Sequence, residues 1–155
     1  MDGSGNLVIA DLCNQRIRVV AVSSGAFYGQ SMTAGDIYTV AGDGTLGFSG
    51  DGGSAASAEL STPEMVAVDG SGNLVIADTG NQRIRVVAVS SGSFYGQSMT
   101  AGDVDSVAGT GKAGFSGDGG PGTSAMIDGP EGMATDGSNL LFTDEHNYRI
   151  RELTG

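Results

Sequence analysis

The sequence has little of what usually staples or decorates a small fold. It holds one cysteine, Cys13, so no disulfide can form within the chain and no thiolate cluster can bind a metal. Tryptophan is absent and proline is limited to three residues. Basic residues are scarce as well: seven Lys and Arg stand against 18 Asp and Glu, for a net charge of −11. Without a basic surplus the chain cannot drive counterion release from a polynucleotide or adhere to anionic lipid. Nucleic acid and membrane are therefore not expected as partners, and a protein or a small neutral or cationic ligand is. No apolar run approaches the length of a membrane span. The opening stretch, MDGSGNLVIAD, carries an acid where a secretory signal carries Lys or Arg.

Glycine is abundant, at 28 residues, and hydrophobic residues make up 39% of the chain. That combination excludes collagen and disordered polar tracts, and it assigns the glycines to turns. The length of 155 residues suffices for one ordinary domain with a real core.

The dominant feature is an internal repeat. DGSGNLVIAD begins at Asp2 and again at Asp69, and a shortened copy, DGSNLLFTD, begins at Asp136, a constant spacing of 67 residues. The first two copies also share NQRIRVVAVSSG (from Asn14 and Asn81), FYGQSMTAGD (from Phe27 and Phe94) and GFSGDGG (from Gly47 and Gly114). The third has drifted, with NYRIREL at Asn147 to Leu153.

Within one period, apolar residues alternate over short runs bounded by Gly, Asp, Asn and Ser, which is the strand pattern. Four strands are expected: a (Met65 to Asp69), b (Asn73 to Asp78), c (Arg83 to Val89) and d (Asp103 to Gly109). Tight turns at DGSGN and DTGNQ make a, b and c an antiparallel meander. Only Ser54 to Leu60 hints at a helix. Alternate connections of a meander lie on opposite faces, so FYGQSM and GFSGDGG are expected on opposite faces.

MVAVDGSGNLVIADTGNQRIRVV (Met65 to Val87) resembles an NHL repeat, with its apolar-A-V-D strand, G-N turn, V-A-D strand and N-x-R-I strand. The pattern recurs at Asn6 to Val20 and at Asn139 to Arg151, although the c–d and d–a connections exceed a compact family repeat. The resemblance implies an all-β fold, a partial NHL-type β-propeller of four-stranded antiparallel blades. With strand order b, c, d, then a to d, then a, b, c, the chain spans about two and a half blades and its ring is not closed. The expected division is 1–62 (partial blade plus d–a loop), 63–129 (complete blade plus d–a loop) and 130–155 (partial blade). Unpaired edges on NLVIAD and RIREL invite self-association. Similar Gly-rich arrays imply a bacterial, extracellular or cell-envelope setting.

All six arginines lie in three RIR tripeptides. Arg16, Arg18, Arg83, Arg85, Arg149 and Arg151 are expected to form structural ion pairs with the acids that end strand b, namely Asp11, Asp78 and Asp144, because Arg forks match carboxylates. The competing reading is a cationic stripe. FYGQSM carries the candidate ligand-binding residues, Phe27, Tyr28 and Gln30 with Phe94, Tyr95 and Gln97. These residues either cover the blade edge or present a repeated binding surface.

GDGTLG (Gly42 to Gly47) and GTGKAG (Gly109 to Gly114) have the G-x-G-x-x-G spacing, but turn residues rather than a helix follow, so no phosphate cradle is expected. DGSGN resembles the start of a calcium loop but lacks the bidentate Glu, and reads as a hairpin turn. GFSGDGG could hold a weak cation only through Asp51 or Asp118. Cys13 and His146 share one repeat position, where the middle copy has Gly80, and two ligands cannot complete a zinc site. No cofactor, metal or catalytic set is expected, and no nucleophile elbow is present. Duplicated blades supply the same groups again, which suits a non-enzymatic binding or scaffold module. The alternative is a fragment of a propeller enzyme, a lactonase-like hydrolase or lyase with a metal in the central channel. For that enzyme, resemblance points to Glu64 and Glu131 at the start of strand a.

Overall fold

Each alternating run becomes a strand in the computed structural model, which describes residues 1–155. The first period forms β1 (Leu7–Asp11), β2 (Arg16–Val20), β3 (Gly25–Phe27), β4 (Gln30–Met32), β5 (Ile37–Ala41) and the short β6 (Gly53–Ser54). The second forms β7 (Pro63–Val68), β8 (Leu74–Asp78), β9 (Arg83–Val87), β10 (Gly92–Phe94), β11 (Gln97–Met99) and β12 (Asp103–Ala108). The third forms β13 (Pro130–Asp136), β14 (Asn139–Asp144) and β15 (Arg149–Leu153). Strands a to d of the middle unit are thus β7, β8, β9 and β12, paired antiparallel in that order.

The first sheet is β1-β2-β5 and the third is β13-β14-β15, so one lacks its inner strand and the other its outer strand. The architecture is all-β, with open sheets stacked about a common line of inner strands: β7 packs against β1 on one side and β13 on the other. Two apolar layers hold the three sheets together. Ile17 and Val19 meet Leu74, Ile76 and Val104 in the first, and Val75, Ala77, Ile84 and Val86 meet Leu140 and Phe142 in the second. Each fully buried Leu or Ile contributes roughly 1.5–3 kcal/mol relative to exposure.

The alternation along each strand decides this arrangement. On β8, Leu74 and Ile76 face the first sheet while Val75 and Ala77 face the third, and all four are completely buried. A strand apolar on both faces belongs between two sheets. The third unit lost a residue from its a–b turn, yet Asp136 still pairs with Asn139 across a two-residue Gly137–Ser138 turn. The hairpin tolerates the deletion because Gly137 takes a positive φ of 61°.

Three local features depart from the expected pattern. The FYGQSM connections are not loops but two-stranded hairpins, β3-β4 and β10-β11. Their central residues, Tyr28–Gly29 and Tyr95–Gly96, all have positive φ, which is the turn geometry that matches strand twist. The middle sheet has five strands, because Gly53 and Ser54 of the preceding d–a connection cover the outer edge of β12, where Asp103 pairs with Ser54. The Ser54 to Leu60 stretch holds only a 3-10 turn at Ala55–Ser57. Further 3-10 turns link b to c at Leu12–Asn14, Thr79–Asn81 and Glu145–Asn147.

Candidate functional site

The hairpin tip between the first and second sheets carries sequence-predicted ligand-binding residues beside concave surface. Depressions of about 400 and 420 Å³ flank Tyr28 and Gly29. Asp2, Ser4, Phe27 and Val89 line one, and Gln30, Thr39, Ser54 and Asp103 line the other. A third, smaller recess of about 110 Å³ reaches Val40, Val87 and Ala101 beneath the same tip. Phe27 and Gln30 therefore line separate depressions that meet at Tyr28. The equivalent Tyr95 is buried in the second apolar layer, with Phe94 packed against it, so the second hairpin offers a more closed surface.

Tyr28 holds its place by chemistry as well as packing. Its hydroxyl donates to Asp2 Oδ2 at 2.7 Å, and Gln30 Nε2 donates to the Thr39 carbonyl at 2.7 Å. Asp2 also accepts from the Ser4 and Asn6 backbone N–H groups and from Asn6 Nδ2. Burial opposes its ionisation, but these four bonds outweigh burial and hold the carboxyl below its usual range. Burial, reinforced by the Asp2 bond, pushes the Tyr28 hydroxyl up. A bulky residue at φ 50° stores strain of roughly 1–3 kcal/mol that the surrounding contacts must offset. With both Asp2 carboxylate oxygens and Asn6 Oδ1 engaged by the chain itself, the turn acts as a hairpin that ties the a–b and c–d connections together.

The RIR arginines sit on the opposite end of the blades' connections. The second arginine of each tripeptide meets the predicted acid: Arg18–Asp11 at 3.4 Å, Arg85–Asp78 at 3.6 Å and Arg151–Asp144 at 3.3 Å. The first arginines do not, although Asp78 and Arg83 are direct cross-strand partners. Arg83 instead donates to the Gly109 and Thr110 carbonyls, Arg16 to those of Asn14 and Asp43, and Arg149 to that of Asn147. The Gly109 and Thr110 carbonyls where strand d ends draw the side chain of Arg83 away from the acid.

Sequence reasoning missed the principal partner of these arginines, which is the GFSGDGG segment of the preceding unit. Arg85 Nη2 donates to the Ser49 carbonyl at 2.8 Å and to Asp51 Oδ1 at 2.7 Å, while Nη1 reaches the Glu59 carbonyl at 2.9 Å. Arg151 repeats this with Ser116, Asp118 and Met126. Phe48 lies 4.1 Å from Arg83 and Phe115 lies 3.9 Å from Arg149, each measured to the ring centroid. The co-occurrence of GFSGDGG and RIR in both full copies was the available signal, but spacing along the chain hides a contact between successive units.

Cys13 and His146 fall in the b–c turn as predicted from the repeat, Cys13 exposed and His146 bonded to Asp128 Oδ1 at 2.9 Å. That bond, with the Asp128 charge, raises the imidazole above its ordinary pKa. At the same position Gly80 is needed because a side chain would strike the Ser61 and Thr62 hydroxyls. In the third unit the glycine has moved to Gly129, and the space it leaves accommodates His146. Glu131 sits beside Glu145, whose carboxyl it raises through a shared hydrogen bond. No three His, Cys, Asp or Glu side chains converge to hold a metal ion. In the G-x-G-x-x-G segments, Gly42 and Gly109 press against the backbone of Gln15 and Gln82 and no helix follows. No helix is long and apolar enough to cross a membrane.

With this geometry in hand, the chain is similar to several known proteins. The NHL repeat family model matches residues 60–87, the segment that contains β7, β8 and β9. Over 95 residues the chain is 35% identical to Teneurin-1 of Homo sapiens, covering 55% of this chain and 3% of that protein. A Bacteroides thetaiotaomicron VPI-5482 structural genomics protein of unknown function superposes with a TM-score of 0.72 at 19% identity, covering 96% of this chain and 32% of that one. Auxiliary nutrient binding proteins from the same organism and from Bacteroides ovatus ATCC 8483 superpose with TM-scores of 0.63 and 0.62, at 21% and 17% identity. Each covers 95% of this chain and 34% of the other. The chain thus spans about a third of the length of these structures. The fold is that of an open β-propeller segment, and residues 60–87 carry an NHL repeat.

Proposed function

We propose that this chain is a non-enzymatic binding module that works through loops presented by successive blades, with 63–129 as the repeating unit. Phe27, Tyr28 and Gln30 form the ligand-facing hairpin, and Phe94 and Gln97 belong to its second-copy counterpart, which Tyr95 anchors from within the core. The observation that carries this reading is the convergence of three recesses on the Tyr28–Gly29 tip. A tyrosine in left-handed conformation, where Asn would turn without strain, supports it. The groove offers an aromatic ring beside Asp2 and Asp103, which suits a neutral or cationic ligand or a protein segment over an anionic one. Two proteins that share the fold are auxiliary nutrient binding proteins, which favours binding over catalysis.

The test is a thermal-shift screen of neutral and cationic small molecules, repeated on Tyr28→Ala. The reading expects at least one compound whose stabilisation disappears in the variant. A screen blank for the native chain, or shifts that survive the substitution, would remove the hairpin groove from consideration. Hydrolysis of a lactone panel by the native chain would remove the non-enzymatic assignment.

A further inference from the structure

The outward face of the first sheet carries Leu7, Ile9, Arg18, Val20 and Ile37. At the same repeat positions the middle sheet has Leu74, Ile76, Arg85, Val87 and Val104, all buried. What covers them is visible within the molecule: the strands of the preceding unit, and its Phe-Ser-Gly-Asp segment closed over the arginines. Phe48 stacks on Arg83 and Arg85, and Asp51 takes both Nε and Nη2 of Arg85. Phe115 and Asp118 do the same for the third unit's arginines, stacking on Arg149 and Arg151 and pairing with Arg151. Two filled sockets of one design stand beside one that is open. Arg18 bonds only Asp11, its side chain is 34% exposed against 0% for Arg85, and its Nε is buried without a partner.

A guanidinium presents five donors in a fixed fork, and leaving one buried and unmet is costly. We propose that the Arg16–Arg18 face of the first sheet is a binding site for a peptide segment of Phe-Ser-Gly-Asp chemistry, held as the repeat units of this chain hold theirs against Arg85 and Arg151. The phenyl ring stacks on Arg16 and Arg18, the aspartate accepts from Arg18 Nε and Nη2, and backbone carbonyls accept from the remaining Nη donors. A second copy of this chain is a poorer occupant, because both of its Phe-Ser-Gly-Asp segments are already held by Arg85 and Arg151. The site is separate from the hairpin groove, so it stands or falls independently of a ligand there.

The probe is a synthetic peptide with the sequence of residues 46–60, titrated to millimolar concentration into the isotope-labelled full chain and followed by NMR. Saturable shifts are expected at Ile9, Arg16, Arg18, Val20 and Ile37. Affinity is expected to fall about tenfold or more with Arg18→Ala, and likewise when the peptide carries Phe48→Ala or Asp51→Asn. A second measurement covers weak association: the full chain with Met1 replaced by a copy of residues 47–68, which keeps the repeat in phase. This extension is expected to raise Tm by about 4 °C or more, with Arg18→Ala cancelling the gain in the extended chain while leaving the original chain's Tm nearly unchanged. The proposal is overturned if neither the peptide nor the extension has an effect. It is equally overturned if Arg18→Ala leaves both effects intact, or if the chain alone sediments as a dimer that Arg18→Ala dissociates, which would make a second copy the occupant.

Discussion

The two outer faces of the molecule are opposite sides of one repeated blade interface, and they have kept its chemistry to different degrees. On the first sheet Leu7, Ile9, Arg18 and Val20 are the very residues that the middle sheet buries as Leu74, Ile76, Arg85 and Val87. On the third sheet the positions that would meet a following blade have changed: Gly132 stands for Met65, Thr143 for Ala77, Tyr148 for Gln82 and Glu152 for Val86. Leu141 and Ile150 remain apolar, but Tyr148 is 95% exposed and Glu152 is tied down by Asn139. The difference teaches that sequence identity between repeats does not fix their environment. One face keeps the chemistry of an interior, and the other has become more polar while still exposing Leu141 and Ile150.

The largest expected contrast is between equivalent arginines. Arg85→Ala strands the buried Asp78 carboxylate and should cost about 3–5 kcal/mol, whereas Arg18→Ala, beside a part-exposed Asp11, should cost under ~1 kcal/mol. Urea unfolding followed by circular dichroism measures both, and equal losses would break the comparison.

Next in size are the apolar pairs. Leu74→Ala opens a cavity between packed sheets and should cost about 2–5 kcal/mol, while Leu7→Ala, at a side chain already 48% exposed, should change stability by less than ~1 kcal/mol. The same denaturation series reads this out.

A smaller effect concerns the left-handed residue that ends each b–c turn. Gln15 Oε1 accepts from the Thr62 N–H at 2.7 Å and Gln82 Oε1 from the Gly129 N–H at 2.8 Å, each holding the residue just before the next unit's first strand. Gln82→Ala should therefore cost about 1 kcal/mol, and Tyr148→Gln, with nothing to reach, should stay within about 0.5 kcal/mol. A Tm rise with Tyr148→Gln would show that the third face is not inert.

The smallest effect is a titration. His146, raised by Asp128, contributes stability that is present below the ordinary histidine pKa and fades as pH rises through the raised value. Asp128→Asn should bring the His146 pKa down in an NMR titration and flatten that dependence. An unchanged midpoint would separate the pair.

The strands, their order and the unfinished state of both outer sheets were legible in the sequence, because period-two alternation and a strict repeat report them directly. The face assignment of the connections was legible too, since Tyr28 meets Asp2 on one side and Asn81 meets the Gly47 carbonyl on the other. The hairpins at FYGQSM were hidden because Tyr-Gly is not the usual pair for that turn, and only contacts with Asp2 and Asp69 make tyrosine acceptable there. The Arg–GFSGDGG sockets were hidden for another reason. Arg85 and Asp51 are 34 residues apart and belong to different units, so a reading confined to one period assigns the arginine to its own strand's neighbour.

That socket also gives the molecule a direction in time. Arg85 and Arg151 are synthesised after the loops that enclose them, and Gln15 and Gln82 before the backbone N–H groups they capture. A blade emerging from the ribosome therefore meets the loop of its predecessor already made, an order that favours folding from the amino-terminal unit onward.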